Sequence, residues 1–433
     1  MTDEASELYA LVRELFPICR SITGNGVRET LRLLSKRVPL EIREVPSGTA
    51  VLDWTVPREW NIRDAYIKDA AGTRVVDFQA NNLHVVSYSA PIRAQLSLSE
   101  LRPHLHTLPE QPDRIPYRTS YYQETWGFCL SERQLHQLGP GPYDVCIDSS
   151  LQEGSLSYGE LVLPGSSEDE ILISTHVCHP SLADDNLSGI AVSVFLAGEL
   201  AARRTRRHTF RFLYAPGTIG AITWLAQNCA SAQRIKHGLT LTCLGDAHPF
   251  TYKRTVAGDA DIDRAAAHVL RHAPGQTDAP HQTIDFFPYG YDERQYNSPG
   301  FRLAVGSLMR GRHGQFPEYH SSGDNLDFVS GARLTESLSV CRSIVDLLEG
   351  NQSYRNLAPF GEPQLGSRGL YRATGGTSIP NLQFAMLWVL NLSDGKHSLL
   401  DIAERANMDF AAIRGAATLL AEHALLAEVT PSA

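Results

Sequence analysis

The chain has 433 residues, 42% of them hydrophobic and 20% charged, and its formal net charge at pH 7 is −9. This composition is typical of a globular protein, and the negative charge argues against a nucleic-acid or anionic-membrane surface spread over the whole molecule. No apolar run approaches the roughly 18 residues needed to cross a bilayer, the first residues lack a signal-peptide pattern, and the seven cysteines include no CxxC pair, so we expect a cytoplasmic protein with no membrane partner.

The first third of the chain changes from helical to β-type patterns. Leucines recur at helical spacing in residues 4–38, which predicts helices there. From residue 46 to residue 120, short β-type runs alternate with Pro and Gly, which predicts a small β-rich domain. We interpret it as an insert in a larger domain that comprises residues 1–45 and 121–352.

Strand patterns alternate with helical patterns between residues 143 and 330. This alternation favours an α/β domain whose sheet is covered by helices on both faces. A long helix over 332–350 is expected to close the domain, with Gly350 as its stop. The candidate strands are YDVCIDSS, GELVLPG, EILISTH, TFRFLYA and LTLTCLG, and the candidate helices are SGIAVSVFLAGELAARR and IGAITWLAQNCA.

Residues 365–433 read as a separate module of three short helices that end in a β-type run, which resembles a winged helix. A winged helix that reads DNA normally carries a basic stripe for the phosphates. This module has five basic and six acidic residues, so nucleic acid is an unlikely partner and we expect contact with a protein or self-association. The charged residues are Arg368, Arg372, Lys396, Arg405 and Arg414 against Asp394, Asp401, Glu404, Asp409, Glu422 and Glu428.

Four side chains of types that commonly bind metals follow separate strands or lie in separate loops of the predicted α/β domain. His176 ends the strand EILISTH, and Asp185 lies nine residues later, before a helix. Asp246 follows the strand LTLTCLG, and His320 lies in the loop before the closing helix. Ligand sites gather at the carboxyl ends of strands in open α/β sheets, and zinc binds His nitrogen and Asp oxygen. Alternatively, the acidic residues around Asp185 only cap the following helix.

Several segments together resemble the aminopeptidase-like zinc peptidases, the clan of the bacterial leucyl aminopeptidases and the glutaminyl cyclases. The chain is more closely similar to a bacterial family in which that domain carries a β-rich insert and a C-terminal winged helix. The resemblance implies an aminopeptidase-like mixed sheet flanked by helices. The segments that carry it are SITGNG, YYQETWGFCLS, STHVCHPSLADDNLSG, LTCLGD, YGYDERQYNSPGF, VGSLMR and PEYHSSGDNLDF.

The resemblance also implies metal ligands and a mechanism. It assigns His176 and Asp246 to one metal, His320 to a second, and Asp185 to a bridge between the two. In such a site the metal polarises the scissile carbonyl and a nearby Glu takes a proton from water.

Two departures from the aminopeptidase pattern weaken this implication. Cys178 stands where an Asp usually orients the metal-binding His. After the strand TFRFLYA, Gly217 stands where the general-base Glu is expected, and Thr218 stands where a ligand of the second metal is expected. The loss of that ligand favours one zinc ion over two. The single site would use His176 and Asp185 with Asp246, or Asp185 and His320 with one neighbour.

Other polar residues near this region are candidates for catalysis and substrate binding. Glu293 and Glu318 are candidate replacements for the missing base. Asp292 and Arg294 are candidate substrate contacts, since Arg can pair with a carboxylate in a bidentate manner. The alternative for Asp292, Glu293 and Arg294 is a buried ion-pair network.

These observations favour a zinc-dependent hydrolase of a peptide or amino-acid amide bond, weakened by Gly217. The substrate would be a small peptide or an amino-acid conjugate. The alternative is a metal-binding pseudo-enzyme that binds a ligand or partner without turnover. A third reading, a glutaminyl-cyclase-like reaction, also needs a Glu base.

Overall fold

The computed structural model describes residues 3–272, 280–370 and 381–429. Arg372, one of the charged residues counted above, lies outside them. The chain forms two compact units: Met1–Gly258 with Asp278–Ser339, and Asp259–Thr277 with Val340–Ala433. Of the helices in these ranges, none is long and apolar enough to cross a membrane.

The first unit contains most of the helices and strands of the chain. Its helices are α1 (Asp3–Leu15), α2 (Asn25–Ser35), α3 (Leu98–Leu101), α4 (Glu132–Gln137), α5 (Gly189–Ala202), α6 (Ile219–Gln227), α7 (Cys229–Ala232) and α9 (Glu293–Tyr296). Its strands are β1 (Glu41–Pro46), β2 (Ala50–Val51), β3 (Trp54–Thr55), β4 (Glu59–Lys68), β5 (Arg74–Asp77), β6 (Ile92–Leu96), β7 (Leu105–His106), β8 (Phe128–Cys129), β9 (Tyr143–Gln152), β10 (Ser155–Leu163), β11 (Glu170–His176), β12 (Thr209–Ala215), β13 (Ile235–Leu241), β14 (Thr251–Lys253), β15 (Gln282–Ile284) and β16 (Val305–Met309).

An eight-stranded mixed sheet forms the centre of this unit, in the order β1-β10-β12-β11-β13-β16-β14-β15. Four neighbouring strands are parallel to one another: β12, β11, β13 and β16. Strand β10 runs antiparallel to β12, and β14 runs antiparallel to β16. All seven residues of β11 are buried, which explains its continuous apolar pattern: a central strand is covered on both faces. The predicted α/β architecture of a mixed sheet flanked by helices is confirmed.

A second sheet, in the order β5-β4-β9-β6, lies in the same unit. Three of its strands come from the predicted insert over 46–120, but β9 (Tyr143–Gln152) comes from outside it and pairs with both β4 and β6. The sheet is therefore complete only with a strand that follows residue 120. The residue bounds of the insert stay a prediction.

The second unit contains α8 (Asp261–His272), most of α10 (Gly331–Gly350), α11 (Asn381–Leu392), α12 (Leu399–Ala406) and α13 (Phe410–Glu422). Its three strands, β17 (Ser353–Asn356), β18 (Asp394–Ser398) and β19 (Leu426–Glu428), form a sheet with β17 in the middle. Within this unit Arg264 of α8 forms ion pairs with Asp401 and Glu404 of α12, both at 2.6 Å. Because β17 pairs with β18 and β19, the module includes strand residues that precede position 365, where its predicted range begins.

Candidate metal centre and cavity

The carboxyl end of β11 places two of the four predicted ligands close together. His176 is the last residue of β11, and Asp185 lies in the irregular turn Ala183–Ser188 that leads into α5. Asp324 fixes this turn, since its two carboxylate oxygens accept hydrogen bonds from the backbone N–H of Asp184 and of Asp185, at 2.6 and 2.9 Å. The position of the Asp185 side chain is therefore set by a buried carboxylate from a distant loop.

The Asp185 carboxylate is fully buried and joins two histidines. Its Oδ1 lies 2.9 Å from Nε2 of His176, and its Oδ2 lies 3.0 Å from Nε2 of His320. Burial alone would raise the pKa of this carboxyl, but the nearby His179 and the hydrogen bonds from His176 and His320 hold it well below its usual range. Asp185 is therefore an anion between two imidazoles.

A third imidazole, that of His179, lies beside this group. One ligand atom each of His176, His179 and Asp185 lie within 4.8 Å of one another. The His179 ring centroid is 4.7 Å from that of His176 and 5.2 Å from that of His320. Burial holds the pKa of His179 well below its usual range, so its ring is neutral, which is the form that binds metals. His179 was not among the predicted site residues, although a second histidine three residues after His176 could have indicated a further metal ligand.

The donor types of this group match those that zinc uses. Zinc is usually bound by four donors, or by three with one position left open, drawn from imidazole nitrogen, carboxylate oxygen and thiolate. His176, His179, His320 and Asp185 provide three imidazoles and one anionic carboxylate. The donor types present therefore fit zinc.

Asp246, the fourth predicted ligand, belongs to a different hydrogen-bond group. Its Oδ1 accepts from the backbone N–H of His248 at 2.5 Å and lies 2.8 Å from His248 Nδ1, and its Oδ2 accepts from the backbone N–H of Gly311 at 2.9 Å. The sequence analysis placed Asp246 directly after a strand, but β13 ends at Leu241. The strand ends four residues earlier than predicted, so Asp246 lies in a loop. Its carboxylate is linked to the turn of Asp185 through a hydrogen bond with Asp184.

A cavity of about 380 Å³ opens beside the histidines. Its wall is rich in aromatic side chains and includes three of the four residues named above as zinc donors. The lining residues are Trp54, Tyr117, Thr119, Tyr121, Tyr122, His176, Cys178, His179, Gly217, Thr218, Tyr289, Gly290, Tyr291, Asp292, Arg294, Tyr319 and His320. Tyr121 and Tyr122 of the segment YYQETWGFCLS thus line the cavity, whereas Trp126 of the same segment does not.

Gly217 and Cys178 lie together in this wall. The backbone N–H of Gly217 donates to the Sγ of Cys178 at 3.2 Å, and burial raises the pKa of this thiol to about 12. Cys178 is therefore a neutral thiol near His179, 3.7 Å from its Nδ1. A Cβ atom added to Gly217 would lie 3.5 Å from the sulfur and 3.7 Å from the Cβ of His176, which is ordinary van der Waals contact.

The two predicted base candidates face other partners. Glu293 is fully buried, and its Oε1 lies 2.7 Å from Nζ of Lys253, which is also fully buried. Glu318 pairs with Arg114 at 2.7 Å. Neither glutamate lines the cavity, because each carboxylate is directed to a cation outside it.

Asp292 and Arg294, the predicted substrate contacts, do line the cavity. Oδ1 of Asp292 accepts a hydrogen bond from the backbone N–H of Thr218 at 2.6 Å, and Nη2 of Arg294 donates to Oγ1 of Thr218 at 3.2 Å. Burial raises the pKa of the Asp292 carboxyl to about 6. Glu293 is directed away from the cavity, whereas Asp292 and Arg294 face it. Of these three consecutive residues, only Glu293 takes part in a buried ion pair.

Comparison with known proteins agrees with this architecture. A Clostridium acetobutylicum protein named “Putative polysaccharide biosynthesis protein with aminopeptidase-like domain” is 51% identical over 420 residues, which cover 97% of this chain and 95% of that protein. A solved structure from the same organism, described as a “putative peptidase”, is 50% identical, with a TM-score of 0.92 and coverage of 98% of this chain and 96% of that chain.

More distant likeness shows the fold alone. A zinc aminopeptidase from Bacillus subtilis has a TM-score of 0.56 at 12% identity, over 79% of this chain and 94% of that chain. This confirms the aminopeptidase-like fold that the sequence segments predict. Residues 352–428 match the model described as “winged helix-turn-helix”, which confirms the C-terminal winged helix. Residues 9–351 match the model described as “Domain of unknown function (DUF4910)”, and since this match spans most of the chain, the chain belongs to that family.

Proposed function

We propose that the chain is a zinc-dependent hydrolase of a peptide or amino-acid amide bond. The observation that carries this proposal is the buried Asp185 carboxylate, each of whose oxygens faces a different imidazole beside a cavity. Burying an anion costs free energy unless a positive charge compensates it, and a bound metal cation would supply that charge. The zinc aminopeptidase from Bacillus subtilis, which has the same fold, supports the choice of metal.

A single ion would be held by Asp185 and His176, with His179 and His320 as the further donors. When bound, the ion would supply a Lewis acid that polarises the amide carbonyl. Thr218 offers no carboxylate for a second ion, and Asp246 is bound to His248 and Gly311. The donor set therefore supports one ion rather than two.

We assign the role of proton acceptor to Asp292. Of the described residues that line the cavity, it is the only carboxylate. The N–H of Thr218 fixes one of its oxygens, so its orientation is set before a substrate binds. A carboxyl with a raised pKa, here about 6 because of burial, is better matched to proton transfer near neutral pH than an ordinary Asp. Glu293 and Glu318 are not proposed for this role, because Lys253 and Arg114 bind them.

One observation favours a second candidate, a module that binds zinc and a ligand without turnover. At Gly217, where a base is expected from the resemblance, the cavity wall offers only a backbone N–H that donates to Cys178. The relative from Clostridium acetobutylicum is named for polysaccharide biosynthesis. We therefore include amides linked to amino sugars among the substrates to be tested.

Metal analysis combined with an amidase assay tests the proposal. The purified wild-type chain is expected to bind one equivalent of zinc and to hydrolyse some members of a panel of aminoacyl anilides, dipeptides and N-acyl amino sugars. His176→Ala should lose both properties, because it removes a donor at the centre of the group. His136→Ala is the matched control, since the His136 side chain is 74% exposed and lies outside the cavity.

The outcomes separate the two candidates. Zinc without turnover of any panel member would support the binding module. A folded wild-type protein that binds no zinc would contradict both candidates as stated.

A further inference from the structure

Arg294 is a cation in the cavity wall that has no carboxylate partner. No Asp or Glu oxygen of the described residues lies within 4.0 Å of its guanidinium, and its one hydrogen bond in those ranges goes to the Thr218 hydroxyl. Its Nε is buried and has no hydrogen-bond partner there. A guanidinium has five N–H donors, so most of its binding capacity is unused.

Other buried cations of the first unit have carboxylate or backbone oxygen partners within the chain. Lys253, which lies outside the cavity, pairs with Glu293. Arg310 pairs with Glu336 at 2.6 Å. Arg20 lacks an ion pair and donates to the backbone oxygens of His179 and Leu15, at 2.9 and 2.8 Å; its Nη2 has no partner among the described residues, but Arg20 does not line the cavity. Arg294 alone among these combines a cavity position with unsatisfied donors, which indicates that its partner is a ligand.

We propose that Arg294 binds a carboxylate carried by the substrate. This inference rests on the proposed hydrolase function for its mechanism, since it places the scissile amide beside the histidines while Arg294 holds the acidic end. The planar fork of a guanidinium matches a carboxylate in a bidentate manner. Because Arg294 is the only unpaired cation of the described cavity wall, a monoanion is the better match than a doubly charged phosphate.

The size of the cavity agrees with a small substrate whose acidic end lies inside. Its volume, about 380 Å³, is near the lower limit of typical ligand pockets, roughly 300–1,000 Å³. Arg294 and the histidines line the same cavity, so a compact molecule would contact both. A long peptide that continues beyond the cleaved bond has no charged end to place there.

A matched pair of substrates tests this assignment in the full chain. The pair is leucyl-4-aminobenzoate and leucyl-4-aminobenzamide, which differ only in the carboxylate. In the wild type kcat/KM should be at least about tenfold higher for the benzoate, the typical effect of one charge-assisted interaction. Arg294→Gln should abolish this preference by raising KM for the benzoate, so that kcat/KM becomes similar for the two substrates. Arg254→Gln is the control, because Arg254 is partly exposed and pairs with Asp285 at 3.0 Å.

A binding measurement keeps this inference distinct from the proposed function. If neither substrate is hydrolysed, calorimetry with benzoate, benzamide and phenyl phosphate still tests Arg294, while the wider panel of amides described above tests the hydrolase proposal. Tighter binding of benzoate than of benzamide by about tenfold, lost in Arg294→Gln and kept in Arg254→Gln, would support the carboxylate site.

Three results would overturn the assignment. The first is equal or undetectable binding of benzoate and benzamide, and the second is a preference that survives Arg294→Gln. The third is tighter, Arg294-dependent binding of phenyl phosphate, which would identify a phosphate site instead.

Discussion

The two ends of β11 present opposite treatments of buried charge. At its first residue, Glu170 pairs with Arg211 of β12 through two hydrogen bonds of 2.6 and 2.9 Å. Arg211 also contacts Glu160 of β10, whose carboxylate accepts from the indole N–H of Trp224 at 2.8 Å. At its last residue, His176 and two other histidines lie around a single carboxylate beside a cavity.

The two ends differ in how many of their charged groups and hydrogen-bond donors have partners within the chain. At the Glu170 end, the carboxylates and the guanidinium bind each other, and little capacity is left for a ligand. At the His176 end, the imidazoles share Asp185, and Arg294 of the same cavity keeps a buried Nε without a partner. Charge that is paired within the chain holds the sheet together, and charge left open is available for binding. The following substitutions test that distinction.

Arg211→Met should have the largest effect, and the effect should be on stability. The substitution leaves Glu160 buried without its cation and leaves Glu170 with only the half-exposed Arg234, at 3.5 Å, which should lower the free energy of unfolding by about 3–5 kcal/mol. Urea denaturation measures it. Arg63→Met is the control, since the Arg63 side chain is 81% exposed in its pair with Asp148 and should cost less than about 1 kcal/mol. A similar cost for both would remove the contrast between buried and exposed pairs.

Asp292→Asn should reduce amidase activity and spare the metal. An amide cannot accept the proton, so kcat/KM should fall about a hundredfold, or about 2.7 kcal/mol of barrier. Zinc content should not change, because Asp292 is not among the proposed donors. Glu318→Gln is the matched control for a carboxylate paired outside the cavity. Full activity in Asp292→Asn would return the role of base to another residue.

Gly217→Glu should increase amidase activity by at least about tenfold, since a general base typically contributes about 10²–10⁴-fold. The first carbon of the added side chain would be in ordinary contact with Cys178 and His176, and Gly217 lines the cavity. Gly217→Gln has the same length but cannot take a proton, so it should show no gain. A zinc-loaded Gly217→Glu protein without increased activity would count against a hydrolase origin of the cavity.

The sequence predicted the parts of this site that follow from regular structure. β11 has an apolar centre, Ile171 to Ile173, and ends at His176, so the position of His176 at the strand end followed from its pattern. Asp185 contacts His176 and His320 contacts Asp185, as the resemblance implied. Asp246 was assigned to the same group because its strand was read as ending at position 245, whereas β13 ends at Leu241. Strand ends are set by tertiary pairing, which local sequence does not encode.

Side-chain direction in loops was beyond the sequence as well. Asp292, Glu293 and Arg294 are consecutive, yet only Glu293 is directed away from the cavity, because it finds Lys253 forty residues earlier in the chain. His179 lay within the segment that identified the site, but its burial against His176 and His320 depends on the fold. Which member of a polar run faces a ligand is decided by distant partners.

The pair of Arg28 with Glu59 is an intermediate case, and it should give the smallest effect. Its charges are satisfied, with hydrogen bonds of 2.6 and 2.7 Å, but the two side chains are 16% and 10% exposed. The hydrogen bonds from Arg28 lower the pKa of Glu59 to about 2, against burial, from an ordinary value of 4.5. The folded state therefore prefers the ionised form, and this stabilisation is present above pH 4.5 and lost as the pH falls towards 2.

Comparing the wild type with Glu59→Gln by urea denaturation should show a difference of about 1 kcal/mol at pH 7. The effect is small because Arg28 still pairs with Glu44, at 3.0 Å, after the charge of Glu59 is removed. The difference should shrink below pH 4.5, since protonation then removes the charge of Glu59 in the wild type as the substitution does in the variant. A difference that stays constant between pH 7 and pH 3 would mean that Glu59 stabilises the fold through packing or neutral hydrogen bonds. In that case satisfied charge would matter only where, as at Glu170, it is almost fully buried.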